Sequence, residues 1–598
     1  MTASSPVQLA GAETAFTIKC NGSAIDSTWQ IQSIDIWIGV NKLPRARLVL
    51  SDGNPATETF PVSDSSALIP GSTLEIALGY DQQTTPVFSG LVHRHGLDIT
   101  QQDPTRLVVE ATDKAMGMTL ARRNAVFENL TDSDLATKLI GAAGLKAAVT
   151  ATSAQHESIV QYYCSDWDLL LIRAQLNGMV VLAEDATVTM APPKTDGDPV
   201  LTLTYGESIL SFRADMDAST QFAASAIKSV AWDPATQALA QSGTASASVT
   251  EPGNLSSDTL AQVFGVATVN QQSAGSLPVA DLTAWSSAEL LKTRLAKIRG
   301  DVAFQGCATV KPGDMVTLAG VGARFNGPAY VSAVHHALSQ GLFITTLEIG
   351  LDPDWFSARA PGISAPGAAG QLPPISTLQT GLVVKLDEDP DGEFRVQISL
   401  PLLQADGQVW ARLGGIYASN GFGSEFYPEI GDEVVVAFMN NDPRFPIILG
   451  SLYAKNRPPP NAPEAQNNQK SIVTRSKLRV DFFEDKKAIE LSTPGKQSLR
   501  LDDDAKSITV KDINGNTATF DTSGITLSSA TDMKLTAKGN ITIEADANIS
   551  IQATANLSMK GVQISANADA TFSAQGNAEA KLTAAGIVTV QGALVKIN

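Results

Sequence analysis

Five histidines, three cysteines and several acidic runs are the residues of this 598-residue chain best equipped for chemistry. His93-Arg94-His95 sets two imidazoles at i and i+2, on one face of a strand, as a metal site would need. No third ligand stands near them in sequence, so ordinary strand residues are the better reading. His335 and His336 are strand neighbours that point to opposite faces and cannot chelate together. The acidic runs "LDEDPDGE" (386–393) and "LDDDAK" (501–506) lack the alternating ligands and closing Glu of an EF-hand, and read as solvated turns. Asp432 and Glu433 are likewise neighbours facing opposite ways rather than a carboxylate pair. Cys20, Cys164 and Cys307 are far apart and form no CxxC, which fits assembly in a reducing compartment. With no GxSxG, HExxH or phosphate loop, the sequence points to no catalytic residue, no metal and no cofactor.

A formal net charge of −18 opposes nucleic acid phosphates and anionic membrane alike. The opening "MTASSPVQLAGAET" has neither the basic nor the apolar region of a signal peptide, and no apolar run is long enough to span a bilayer. The expectation is a chain assembled in the cytoplasm and carried out, if at all, by another machine.

Pro- and Gly-rich stretches at 361–375 and 457–470 divide the chain. Ahead of them, residues 1–360 read as mostly strand, for example "FTIKCNGSAI" and "TLEIALGY". Three helices interrupt the strands: "DSDLATKLIGAAG", "DWDLLLIRAQLNG", and 283–300, where Leu290, Leu291, Arg294, Leu295 and Ile298 keep a helical period. A repeat lies in the same part. Residues 70–93 align without a gap on 312–335, matching Pro70 to Pro312, Gly71 to Gly313, Ile76 to Leu318, Pro86 to Pro328, Val92 to Val334 and His93 to His335. This predicts a duplicated barrel hairpin, with barrels over about 1–120 and 200–350 and helical insertions between them.

The C-terminal part, 471–598, keeps an eight-residue beat. Ile525/Leu527, Met533/Leu535, Ile541/Ile543, Ile549/Ile551 and Leu557/Met559 recur as apolar pairs at i and i+2, with Asp532, Asn540, Asn548 or Asn556 closing each phrase in residue types that tolerate left-handed geometry. Each phrase is one short strand with one narrow apolar stripe. Burying an Ile or Leu contributes roughly 1.5–3 kcal/mol, whereas fixing eight backbones costs about 8–16 kcal/mol. A lone chain gives its stripe nothing to face. Three chains about one axis do, so those ten residues are the expected needle core; a single-chain solenoid would show a longer superperiod. The beat slips once, at Val562 and Ile564, and resumes through Phe572, Ala580 and Val588. Upstream, Val480/Phe482, Ile489/Leu491, Leu499/Leu501 and Ile508/Val510 keep longer intervals.

Between the linkers, 376–456 carries "FRVQISLP", "VWARL", "YPEIGDEVVVAF" and "NNDPRFPIILGSLY". With these motifs the chain resembles the VgrG family, the spikes of contractile injection systems, in which a phage tail hub-like part is fused to a spike; the match runs over nearly its whole length. The resemblance implies a mainly β fold: a hub of two β-barrel domains with a few helices, an OB-fold module and an intertwined trimeric β-helix needle. It implies a non-enzymatic homotrimer that caps the inner tube, organises the baseplate and punctures an envelope. The implied partners are the tail tube protein, baseplate proteins, a PAAR-like tip protein seated around Val595, Ile597 and Asn598, and effector cargo. No lysozyme domain fits in the second linker, and all five histidines precede the OB module, so no His-x-His site for iron stands at the tip. The front lacks the aromatic opening of many type VI relatives, which favours an extracellular or phage-like system over type VI secretion. The alternatives are a trimeric tailspike that degrades polysaccharide or a receptor-binding fibre. The needle has few aromatics to bind sugar and no C-terminal receptor domain follows it.

Overall fold

The computed structural model describes residues 4–7, 12–101, 104–403 and 407–597. The chain divides into two units, Met1–Leu452 and Tyr453–Asn598.

In the first unit two sets of six strands build two lobes. The first set is β1 (Thr14–Cys20), β2 (Ile31–Gly39), β3 (Arg45–Ser51), β4 (Thr73–Tyr80), β5 (Gln83–Asp98) and β6 (Arg106–Thr112). The second is β7 (Leu201–Thr204), β8 (Ile209–Met216), β9 (Ile298–Gln305), β10 (Met315–Ala319), β11 (Gly327–Ser339) and β12 (Leu342–Ile349). Alternating apolar residues supply one core per lobe: Ile34, Ile36, Leu48, Leu74, Ile76 and Leu107 in the first, Leu203, Val302, Phe304, Val316, Val331 and Leu347 in the second. The lobes share one sheet, in the order β8-β9-β12-β11-β2-β3-β6-β5-β4-β1, because β11 pairs with β2 as well as with β12.

The duplication is visible strand by strand. Gly71 donates to Val92 and Val92 to Ser72, both at 2.9 Å; Gly313 donates to Val331 at 2.8 Å and Val331 to Asp314 at 2.9 Å. Gly71 and Gly313 both need positive φ at this turn, 97° and 95°. A bulge follows in each lobe, at His93 and at Ser332. These contacts equate Val92 with Val331, not Val334, and His93 with Ser332, not His335. The ungapped alignment is therefore correct along the first strand and three residues out along the second. From that glycine to the paired valine the second hairpin is three residues shorter, 18 positions against 21, because β10 and β11 pair over fewer residues than β4 and β5 and the longer loop between them restores only part of the loss.

Between the lobes, α1 (Asp132–Ala142) starts with a capping box of Thr131 and Asp134, and α2 (Asp166–Leu176) with Ser165 accepting from the Asp168 amide. Both pack into a separate core with Trp167, Leu139 and Met190. α3 (Val279–Leu295) stops before Ile298, which the helical period had included. Ile298 begins β9 instead, where its ladder position opposite Met216 prevails over the local pattern.

β13 (Gln379–Lys385), β14 (Val396–Ser399), β15 (Gln408–Leu413), β16 (Glu433–Phe438) and β17 (Pro446–Leu452) close into a barrel in the order β13-β14-β15-β17-β16. Val396, Ile398, Ala411, Val434, Val436 and Ile448 fill it. This is the OB fold, with its inner face satisfied by its own strands.

The second unit opens with an antiparallel meander: β18 (Gln469–Val473), β19 (Arg479–Phe483), β20 (Ala488–Ser492), β21 (Ser498–Asp502), β22 (Ser507–Lys511), β23 (Thr517–Asp521) and β24 (Gly524–Ser528). Its turns are alike. Lys477, Lys487, Lys496 and Lys506 each sit at positive φ, their amides donating back three residues, and Gly515 takes the fifth turn. A lysine in this region is strained, and a β-branched residue more so. Lys496→Gly is expected to hold or raise the thermal unfolding midpoint of the second unit. Lys496→Val is expected to lower its stability by about 1–2 kcal/mol. Calorimetry of the full chain checks the order.

Candidate functional site

The meander has two unlike faces. On one, two cross-strand rows are almost wholly apolar: Phe482, Ile489, Leu501, Ile508, Phe520 and Ile525 in the first, Ile472, Val480, Leu491, Leu499, Val510, Ala518 and Leu527 in the second. On the other face Asp481, Glu490 and Arg500 stand side by side. Coverage is the reverse of what a single chain in water would favour. Asp481 is buried under Arg479, Ser471 and Gln469, and the Arg479 hydrogen bond, outweighing burial, holds its carboxyl down at about 2. Arg500 donates to Glu490 at 2.9 Å and to Asp502 at 2.7 Å. The apolar face lies bare, with Leu491, Val510 and Phe520 all exposed. Among the described residues of this unit, Ala488 is the one buried apolar side chain.

Of the ten expected core residues, two end those bare rows. Ile525 and Leu527 stand on β24; Met533, Leu535, Ile541, Ile543, Ile549, Ile551, Leu557 and Met559 follow on extended chain and are exposed, Ile543 by 66%. Among the described residues, this stretch pairs with no strand of its own chain. Its bends fall at 530–531, 538–539, 546–547 and 554–555, keeping the eight-residue beat, and after the slip at Val562 at 569–570, 577–578, 585–586 and 593–594. They precede Asp532, Asn540, Asn548 and Asn556, none of which takes positive φ. The expected left-handed closures are not used, because a wide bend returns the chain without one. Val595 and Ile597 are exposed, and Asn598 lies outside the described residues.

The residues first suspected of chemistry have ordinary partners. His95 contacts the Ser63 hydroxyl at 2.8 Å and the Leu68 carbonyl at 3.0 Å, while His93 is 3.9 Å from Glu110. His335 stacks on Trp37 at 4.8 Å and reaches Asp35 at 3.1 Å. Among the described residues no group of three His, Cys, Asp or Glu could hold a metal ion. Asp389 gathers the amides of Asp391, Glu393 and Arg395 and the Arg395 guanidinium, which holds its carboxyl well below the usual range. Asp502 accepts from the Ala505 amide and from Arg500. Both acidic runs are thus turns held by their own carboxylates.

Sequence reading missed the buried ion pairs of the first unit. Lys297, 1% exposed, donates to Glu251 at 2.7 Å and to the Leu255 carbonyl at 3.0 Å. Asp132 accepts from Arg173 and Asn177 and contacts His156 at 3.2 Å. Partners 24 to 46 residues apart leave no local pattern to read.

In sequence the chain is similar to phage-baseplate and VgrG spike proteins. The family model for the type VI secretion system/phage-baseplate injector OB domain matches residues 379–453. That for the Alg8 N-terminal domain matches residues 11–340, more than half of the chain, and the chain belongs to that family. Among curated relatives, the actin cross-linking toxin VgrG1 of Vibrio cholerae is 35% identical over 96 residues, 15% of this chain and 8% of that protein. The type VI secretion system spike protein VgrG1a of Pseudomonas aeruginosa is 36% identical over 67 residues, 11% of this chain and 10% of that one. The matched stretch thus spans at most about a tenth of these relatives' length. Among solved structures, the 43 kDa tail protein of prophage MuSo2 from Shewanella oneidensis aligns with a TM-score of 0.42 and 11% identity, over 57% of this chain and 98% of that one. An E. coli component of the type VI secretion system aligns with a TM-score of 0.38 and 14% identity, over 73% and 99%. Among the described residues no helix is long and apolar enough to cross a membrane.

At the lobe junction His336 is buried, its Nδ1 3.0 Å from the Thr345 hydroxyl, and burial beside His335 pushes its pKa down to about 3. The folded state keeps it neutral where the unfolded chain takes up a proton. Its contribution is therefore complete above the ordinary value of 6.5 and is lost as pH falls from there towards 3. As pH falls below 6.5 the first unit is expected to lose stability from this group, with a slope that approaches about 1.4 kcal/mol per pH unit by pH 5. The slope of unfolding free energy against pH should flatten by that amount in His336→Gln.

Proposed function

We propose that this chain is the central spike of a contractile injection system, of extracellular or phage-like rather than type VI kind, acting as a homotrimer. The observation that carries the reading is that the meander's apolar rows and the apolar pairs of the octads are left largely exposed. Three copies about one axis would put Ile525, Leu527, Met533, Leu535, Ile541, Ile543, Ile549, Ile551, Leu557 and Met559 in contact and pair every open backbone edge with a neighbour. A shaft built so has continuous inter-chain hydrogen bonds and little loop to yield under load.

In this reading residues 1–360 form the hub that caps the inner tube and organises the baseplate, 376–456 the OB module, and 471–598 the needle, with linkers at 361–375 and 457–470. The needle is driven through a target envelope. A PAAR-like tip protein seats around Val595, Ile597 and Asn598, and effectors ride on that tip or in the tube. The particle is assembled in the cytoplasm, then released or anchored to a membrane. The part played is mechanical and needs no cofactor.

The full chain is expected to measure three chain masses by light scattering at micromolar concentration, and a monomer would refute the proposal. Ile543→Asp would set three carboxylates at one level of the core, where an unpaired charge is very costly. It should abolish the needle's unfolding transition while the first unit still folds; an unchanged profile would count against the three-chain shaft.

A further inference from the structure

Residues 361–375 have the composition of a flexible linker, yet both of their ends are tied down. On the hub side the tie comes from a two-stranded ribbon, Arg122–Thr131 paired with Gln155–Ser165, which rests on the core of α1 and α2 through Phe127 and Ile159. Arg122, the first residue of the ribbon, donates through Nη1 to the Ser364 carbonyl at 2.9 Å and through Nη2 to the Gly362 carbonyl. Between those carbonyls, Ile363 packs against the same core. One planar guanidinium thus holds two carbonyls of one segment, which the point charge of an ammonium would not do.

The ribbon is bent to place that guanidinium. A bulge between Gln161 and Cys164 leaves Tyr163 at φ 44°, a strained conformation for a bulky residue. Its amide is held by Asn124 Oδ1 at 2.7 Å, and its ring lies under the Arg122 guanidinium, 5.8 Å away. Gly362 sits at φ 79°, and a Cβ there would come within 3.3 Å of Arg122 Nη2. Strain of this kind persists only where the surroundings over-determine it. Here they bring one guanidinium onto one segment.

The OB side is tied as closely. Ala368 and Ala369 both take φ 53°, and Ala368 is fully buried. A Cβ on Gly367 would meet Pro374 at 2.6 Å and Asn441 at 3.4 Å, so this turn is packed on the turn of Met439–Asn441. Arg444, bound to the buried Asp442 at 2.6 Å, donates to Gln371 Oε1 at 3.0 Å, and the Ile375 amide donates to the Asn441 carbonyl at 2.8 Å. Between Ser364 on the hub and Gly367 on the OB module stand only Ala365 and Pro366, the second with its φ fixed by the ring.

We propose that Arg122 is a clasp, and that 361–375 is a tie fixing the OB module to the hub rather than a tether. The assignment goes beyond the spike reading and does not depend on the number of copies. The second unit follows the OB module in sequence, so a thrust passing along the chain between that unit and the hub crosses this tie. A flexible tether of the same length would take up the thrust as slack.

The test is proteinase K digestion of the full chain under native conditions, with the cleavage site read by mass spectrometry. The unmutated protein should resist cutting at 361–367, where a synthetic peptide of that sequence is cut at once. Arg122→Ala should raise the rate of cutting there about tenfold as two charge-assisted bonds are lost, and Arg122→Lys should not restore the resistance. Gly362→Ala acts on the same contact from the other side, with the ribbon unaltered, and should raise the same rate. Cutting of the unmutated protein at the peptide's rate would overturn the tie. An unchanged rate in either Arg122→Ala or Gly362→Ala would overturn the clasp. A rise in cutting throughout the first unit of Arg122→Ala would mark a folding defect, and Gly362→Ala then decides.

Discussion

Apolar side chains placed at i and i+2 on a single layer of strand cannot be buried by that strand, and the second unit of this protein is made almost entirely of such strands. Its meander turns two full apolar rows to one face and has no second layer to cover them. The octads beyond it keep their apolar pairs exposed and, among the described residues, have no ladder of their own. The first unit is built differently, with several closed cores of its own. One chain thus joins a part that buries its own apolar surface to a part that leaves it exposed.

That difference also orders the polar chemistry. Where the chain encloses its own core, buried charges are paired, as with Lys297 and Glu251 or Asp132 and Arg173, or held by backbone amides, as with Asp113. In the meander the charged face is the self-satisfied one, with Asp481 and Arg479 tied together at 2.7 Å. In both places the carboxylates of Glu251, Asp132 and Asp481 are held by an amine, an amide or a guanidinium that fixes them.

Much of this was legible in the sequence, and the failures have physical causes. The eight-residue beat and its slip at Val562 reappear as the spacing of the bends, because i and i+2 pairs allow only one side-chain arrangement on extended chain. α1 and α2 begin at side-chain caps that the sequence displays, whereas the end of α3 is decided by a ladder partner eighty-odd residues away, Met216 opposite Ile298. The hairpin repeat was visible, but a letter-by-letter match cannot register a hairpin three residues shorter, so His93 was set against His335 instead of Ser332. The lysines at positive φ had no signal, since lysine is an unusual choice for such a turn. The buried ion pairs were illegible because only tertiary folding brings their members together.

The central claim is that the extended stretch from Met533 to Leu594 is hydrogen-bonded to other copies of itself, having no ladder within its own chain. Backbone hydrogen exchange of the full-length protein in solution measures this directly. The account predicts that the amides of this stretch exchange orders of magnitude more slowly than those of an unstructured peptide, and become fast in Ile543→Asp. Exchange at unprotected rates in the unmutated protein would contradict it.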